Sequence, residues 1–234
     1  SEEEAAREAE RLLEEAARVA ERIVRDSERL LDEAAEVARK AVEDSKKLLE
    51  DALRAAREGQ PRDAIREAAK ELEKESKRLA EEIKDAARRL KEETDRLLEE
   101  AKRAAEELKK EADRLATEGA AAEDAARALK EAADLLVKVA EDLARANKEA
   151  ADLLVEVAEK LNRANKEAAE LLKKLADDRE AAERVARRAE RANEEALKEA
   201  EEVIKRAKEA NKRALEEAKR VIDRADKALK EARK

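Results

Sequence analysis

The sequence predicts an all-α protein, a single-chain antiparallel up-down-up-down bundle of four long, straight helices, and three observations predict it. Strong helix formers (Ala, Glu, Lys, Arg and Leu) fill almost every position of the 234 residues. Breakers are confined to two glycines, Gly59 and Gly119, and one proline, Pro61. An 18-residue unit also recurs: Leu12–Arg29 is followed by Leu30–Lys47, and Lys130–Asn147 by Lys148–Asn165, the last two differing at three positions. At about 3.6 residues per turn, 18 residues make roughly five whole turns. A 7-residue repeat imposes a left-handed supercoil and an 11-residue repeat a right-handed one. The 18-residue repeat lies between them and asks for neither, so the helices are expected to run straight.

Taken in order, the elements are marked by their ends. Ser1 and Glu4 form a capping box for a first helix over 2–58. Gly59 is expected just past its end, with Gln60 as N-cap and Pro61 as first residue of a second helix over 61–117. Gly119 is expected to end that helix in the same way as Gly59 ends the first, ahead of a third over 121–176. Asp177 and Asp178 offer an N-cap to a fourth over 179–233. Joints this short force antiparallel neighbours within one domain, 1–234. Each helix of about 55 residues would span roughly 80–85 Å, a rod.

On a helical wheel the apolar arcs of the four helices cover about 160°, 120°, 200° and 140° in chain order. The wider arcs of the first and third helices, which lie diagonally in this topology, predict a rhomboid cross-section with those two on the short diagonal.

Composition removes whole classes of function. Half of the chain is charged (51%), and it contains no His, Cys, Met, Phe, Tyr or Trp. No imidazole or thiolate metal ligand, thiol nucleophile or near-neutral proton switch is therefore available. The Glu-x-x-His pairs of carboxylate-bridged di-iron bundles cannot be assembled. Base stacking on aromatic rings is equally excluded. A net charge of −8 argues against nucleic acid or an anionic membrane as partner. No run of 18 apolar residues suggests a transmembrane helix, and the acidic opening from Ser1 to Glu4 does not resemble a signal peptide. No cofactor is expected, and no compartment is indicated. Disorder, which so charged a composition would suggest, is opposed by near balance of 56 basic against 64 acidic residues and by high helix propensity.

The sharpest signal is a set of eight polar residues placed where apolar ones belong. Ser27 and Ser45 occupy the middle of the first helix's apolar arc, Ser76 and Thr94 that of the second, and Asn147 and Asn165 that of the third. Asn193 and Asn211 lie about 30° off the centre of the fourth. Facing residues across one antiparallel turn share a constant index total, and these eight do: 121, 241 and 358 across the three successive joints. Half of each total falls on a joint already assigned from Gly, Pro or Asp. The residues thus form two layers: Ser27, Thr94, Asn147 and Asn211, and Ser45, Ser76, Asn165 and Asn193. Their expected separation is roughly 27 Å. A third set obeying the same totals, Ala9, Ala112, Leu129 and Leu229, is apolar.

Such layers have three readings: hydrogen-bond networks that set helix register and pairing, back-bonding of the hydroxyls to the preceding turn, or a small polar ligand site. The first is favoured, because Asn, Ser and Thr together can satisfy one another and buried polar groups penalise misregistered packings. Other constellations are bland. Acidic and basic residues three and four apart, such as Glu14 with Arg18, are solvated helix faces worth a few tenths of a kcal/mol per pair. No loop wraps oxygen ligands around a calcium ion, and no base accompanies the serines. An alanine-rich strip on the third helix, with Ala133, Val137, Ala151 and Val155, is the one candidate surface for self-association.

In its repeat, polar layers, minimal joints and restricted alphabet, the whole chain resembles de novo designed straight helical bundles with buried hydrogen-bond-network layers. That resemblance implies a structural scaffold, a rigid extendable building block without enzymatic activity, monomeric and requiring no partner. The alternative is a binding or self-assembling module using the third helix's broad apolar arc or the regularly spaced charged face.

Overall fold

The computed structural model describes residues 1–232, and among them every element is helical. Helix α1 spans Glu2–Arg57, α2 Arg62–Leu115, α3 Ala120–Lys174 and α4 Arg179–Ala232, with a 3₁₀ turn, Ala116–Glu118, following α2. The expected last residue of the fourth helix, Arg233, lies outside the described residues. The chain is an all-α four-helix bundle.

The joints show how local chemistry ends and restarts each helix. The Glu4 N–H is bonded to Ser1 Oγ at 3.3 Å, the cap expected for α1. At the other end Gly59 takes φ 69°, and the Gln60 N–H reaches back to the Ala55 carbonyl at 3.1 Å. This six-to-one bond satisfies one of the orphan carbonyls of the last turn. It also corrects the expected start of α2. Gln60 is committed to closing α1, so the first turn of α2 closes on the Pro61 carbonyl through the Ala64 N–H, and Pro61 precedes the helix instead of opening it.

Gly119 differs more. It was expected to end α2 as Gly59 ends α1, but the 3₁₀ turn already tightens that end, helped by Thr117 Oγ1 donating to the Arg114 carbonyl at 2.8 Å. Gly119 instead has φ 130° and ψ −176°, and its carbonyl receives the Glu123 N–H at 3.0 Å, the opening bond of α3. The third joint is as expected: Asp178 Oδ1 accepts the Ala181 N–H at 3.1 Å and caps α4. The two glycines should therefore respond differently to substitution. Asn tolerates the left-handed helical region at Gly59 but not the glycine-only region at Gly119. Gly119→Asn should cost about 1–3 kcal/mol and Gly59→Asn distinctly less, as read from urea midpoints. Equal losses would refute this assignment.

The helices pack into two compact units, to both of which every helix contributes a segment. The first comprises Ser1–Leu31, Lys91–Lys148 and the chain from Arg206 onward; the second comprises Asp32–Leu90 and Glu149–Lys205. In the first unit Leu13, Leu115, Leu129 and Leu136 form a core with many small neighbours, including Ala9, Ala112 and Ala133, and a further cluster gathers Ile23, Val24, Leu97 and Leu143. In the second unit Leu49, Ile65, Leu72 and Leu172 are interleaved with Ala52, Ala169, Ala182 and Ala189. The apolar set Ala9, Ala112, Leu129 and Leu229 is buried in one cluster of the first unit. Alanine at so many inward positions leaves little side chain between backbones, so the helices approach closely and each large leucine fills a defined space.

Ion pairs fix which helices are neighbours and how they slide. Between α2 and α3, Lys109–Asp134, Lys130–Asp113, Lys148–Asp95 and Lys84–Glu159 all have residue numbers totalling 243. Between α1 and α4, Arg57–Glu183, Lys46–Glu194 and Lys219–Glu21 all total 240. Arg22–Glu100 and Arg114–Glu8 join α1 to α2, and Lys138–Glu217 and Lys160–Glu199 join α3 to α4. A constant total is the signature of antiparallel packing in one register. These pairs are solvent-exposed and contribute little each to stability. Their repetition nevertheless penalises a slipped register, since a slip misaligns all of them together.

Candidate functional site: two buried polar layers

Regular helix geometry carries the polar layers inward. Positions 18 apart return to the same face after about five turns, so each helix presents two polar side chains along its core-facing stripe. All eight have no exposed surface.

In the first layer, contained within the first unit, Asn147 of α3 is the hub. Its Nδ2 donates to Ser27 Oγ at 2.7 Å and to Thr94 Oγ1 at 3.2 Å. Ser27 Oγ donates in turn to Asn211 Oδ1, and Asn211 Nδ2 donates to Asn147 Oδ1 at 3.2 Å. The ring of Ser27, Asn211 and Asn147 closes on itself. Asn211 also donates to the Ala207 carbonyl one turn back, at 2.6 Å.

The second layer repeats this within the second unit. Asn165 Nδ2 donates to Ser45 Oγ at 2.6 Å, Ser45 Oγ donates to Asn193 Oδ1, and Asn193 Nδ2 donates to Asn165 Oδ1 at 2.8 Å. Asn193 likewise back-bonds to the Ala189 carbonyl at 2.7 Å. The fourth member departs from the pattern: Ser76 Oγ is buried without a hydrogen-bond partner, where Thr94 is bonded in the first layer. Back-bonding to the preceding turn, considered for the hydroxyls, is made here by the two asparagines of α4.

In both layers α1 and α3 are bonded to each other directly, through residues whose numbers differ by 120. A constant difference marks parallel helices.

The layers offer no titratable group, and their amides and hydroxyls are largely consumed by one another. A groove over Leu12, Ala16, Val19 and Leu108 is rimmed by Glu8 and Glu111, but Arg114 pairs with both. Among the described residues no group of acidic side chains is disposed to hold a metal ion, and no helix is long and apolar enough to cross a membrane.

Two inward-leaning carboxylates escaped the reading of the sequence, because on a wheel they sit at the edge of the polar face. Asp226 Oδ2 pairs with Lys230 at 2.9 Å, leaving Oδ1 buried without a partner. Glu190 Oε1 is also buried and unpartnered. Burial first, and the Glu50 carboxylate second, raise the Glu190 pKa above its ordinary 4.5. By contrast Lys173 holds Glu73, and Lys219 holds Glu21, below that value through hydrogen bonding and charge.

The signs of the pH dependence follow. Glu190 opposes folding once it ionises, so its penalty is absent below pH 4.5 and grows as pH rises through its raised folded pKa. Glu73 and Glu21 favour folding above their unfolded pKa, and that contribution fades as pH falls through their lowered values. Glu190→Gln should accordingly raise the Tm at pH 7 and leave it unchanged at pH 4, whereas Glu73→Gln should lower it at pH 7. A Glu190→Gln shift equal at both pH values would contradict the assignment.

No protein-family model matches the chain, and neither does any curated protein. A solved structure described as a computationally designed three helix bundle is similar at 20% identity over 92% of each chain, with a TM-score of 0.34. Overlap at that score carries no argument from that protein to this one.

Proposed function

We propose that this chain is a designed structural scaffold, a rigid and extendable helical building block without catalytic activity. The observation that carries the reading is the recurrence, at an 18-residue interval in every helix, of a polar layer whose Ser–Asn–Asn ring closes on itself. Such rings commit their donors and acceptors to one another, and they single out one register among the many that a repetitive alanine-rich surface would allow. The 18-residue interval adds a geometric property: whole turns inserted into or removed from every helix would change length without rotating the ends.

The chain acts alone in this reading. On the self-association strip of α3, Ala133 and Ala151 are fully buried within the chain itself while Val137 and Val155 are half-buried; the absence of any exposed large hydrophobic side chain among the described residues supports this reading. It also behaves as one domain, unfolding in a single transition despite its two packing units. Small-angle X-ray scattering over a concentration series tests the reading. The expected profile is independent of concentration, with monomer mass and a maximum dimension of about 80–90 Å. A doubled mass, or a thicker cross-section at high concentration, would overturn it in favour of self-assembly.

A further inference from the structure

The α1–α2 seam of the first unit carries a ladder of charges at seven-residue spacing. Along α1 the ladder holds Glu8, Glu15 and Arg22, and along α2 it holds Arg114, Glu107 and Glu100. Seven residues make nearly two turns, so each set lies along one side of its helix. The two outer rungs are closed. Arg114 Nη2 donates to Glu8 Oε1 at 2.6 Å, and Arg22 Nη2 donates to Glu100 Oε1. Both pairs have residue numbers totalling 122. The middle rung of the same total sets Glu15 opposite Glu107, acid against acid.

That rung stands over a cavity. Glu15 and Glu107 both line a groove of about 360 Å³, a volume within the range of small-molecule pockets. Its apolar wall is formed by Leu12, Ala16, Val19 and Leu108, and small side chains at Ala16 and Ala104 leave it open. The neighbouring cations do not close the rung. Arg11 also lines the groove, 3.7 Å from Glu15 and 3.8 Å from Glu8, and Lys110 lies 3.9 Å from Glu107. All three separations exceed hydrogen-bond distance. Arg114 is committed to Glu8 and Glu111.

The groove therefore combines an apolar wall with two facing carboxylates. Like charges so placed repel, and a cation between them replaces that repulsion with two attractions. Two carboxylates are too few oxygen ligands for a calcium ion. An ammonium group suits them, since its three N–H donors can reach both, and an apolar body attached to it would be withdrawn from water against the leucines. In the second unit a groove of about 190 Å³ over Leu171, Val185 and Ala189 has one acid and one base beside it, Glu167 and Arg188. It has no such bias toward a cation.

We propose that the α1–α2 groove of the first unit binds a small hydrophobic ammonium ion, its apolar body on Leu12, Ala16, Val19 and Leu108 and its charged end between Glu15 and Glu107. The proposal goes beyond the scaffold reading and does not rest on it. A chain that binds nothing here would still be a scaffold.

Phenethylammonium is the probe, with phenethyl alcohol as its uncharged counterpart. The chain has no aromatic residue, so the probe's ring protons are seen without overlap and its ring shifts the methyl signals beside it. In low-salt buffer near neutral pH, methyl NMR should show saturable shifts confined to Leu12, Ala16, Val19 and Leu108. The alcohol should bind at least about threefold more weakly, and Glu15→Gln with Glu107→Gln should abolish the difference. Ala104→Leu fills the groove without changing its charge and should remove the shifts altogether. Shifts spread over the acidic surface, or no saturation at millimolar concentrations, would overturn the proposal. So would equal binding of the alcohol by the parent chain, or a preference that survives the two glutamine substitutions. If Ala104→Leu fails to fold, the glutamine variant decides, because both of its substitutions are at exposed positions.

Discussion

Asn193→Ala should destabilise the chain by about 2–5 kcal/mol, the sum of two orphaned polar groups and a small cavity. Asn193 Oδ1 accepts the Ser45 hydroxyl, and Asn193 Nδ2 donates to Asn165 Oδ1. Truncation leaves a buried hydroxyl without an acceptor and a buried carbonyl without its donor, in a layer with no access to solvent. Replacing the whole ring, Ser45→Ala with Asn165→Leu and Asn193→Leu, should recover most of the loss, because removing every partner leaves no member of the ring newly unsatisfied. Urea unfolding of the single and triple variants checks this. A triple variant as unstable as three independent losses would mean that the ring contributes intrinsic stability, contrary to the register role. Ser76→Ala supplies the internal control. Its Oγ has no partner, so its removal should leave the midpoint unchanged or slightly raised.

The second large effect is expected at Leu129, which is fully buried in the core of the first unit. Leu129→Ala should cost about 2–5 kcal/mol, toward the upper end of that range. The cost of a large-to-small change depends on how far the surroundings can collapse into the space. Here the cluster is rich in alanines, among them Ala9, Ala112, Ala125, Ala126 and Ala133, on helices that bonds and ion pairs hold in place. Alanine has no rotamer with which to refill a void. A measured loss below about 1.5 kcal/mol would indicate that the helices move together to close the gap, and that the packing is softer than its alanine content implies.

Much of this molecule is legible along the chain, for a physical reason. Long uninterrupted helices convert sequence separation into position with little error, so index totals alone place Ser27 beside the plane of Asn147 and Asn211, and Ser45 in that of Asn165 and Asn193. The Asp178 cap and the Gly59 terminator were likewise readable, because each acts within a few residues of itself. The role of Gly119 is not legible in the sequence, because glycine suits either a left-handed terminator or an extended linker, and only the 3₁₀ turn before it selects the second. The ion-pair registers between α2 and α3 and between α1 and α4 are also within reach, since four α2–α3 pairs share the total 243 (Lys173–Glu73 departs at 246) and the α1–α4 pairs share 240. The sequence alone does not single them out, because it offers so many acidic and basic residues that chance matches hide the real ones.

What the sequence by itself determined is therefore everything governed by helix periodicity and local capping: the number and extent of the helices, their inward faces, and the eight polar residues those faces carry. What only the tertiary structure decided is which valences are satisfied. Thr94 is bonded and Ser76 is not; Asn193 and Asn211 turn part of their amide back to their own helix; Glu190 and Asp226 each bury one oxygen without a partner. Periodicity sets the direction of a side chain to within a fraction of a turn. A hydrogen bond is decided by tenths of an ångström and by the side chains that four helices bring to one plane, and those become fixed only when the helices pack.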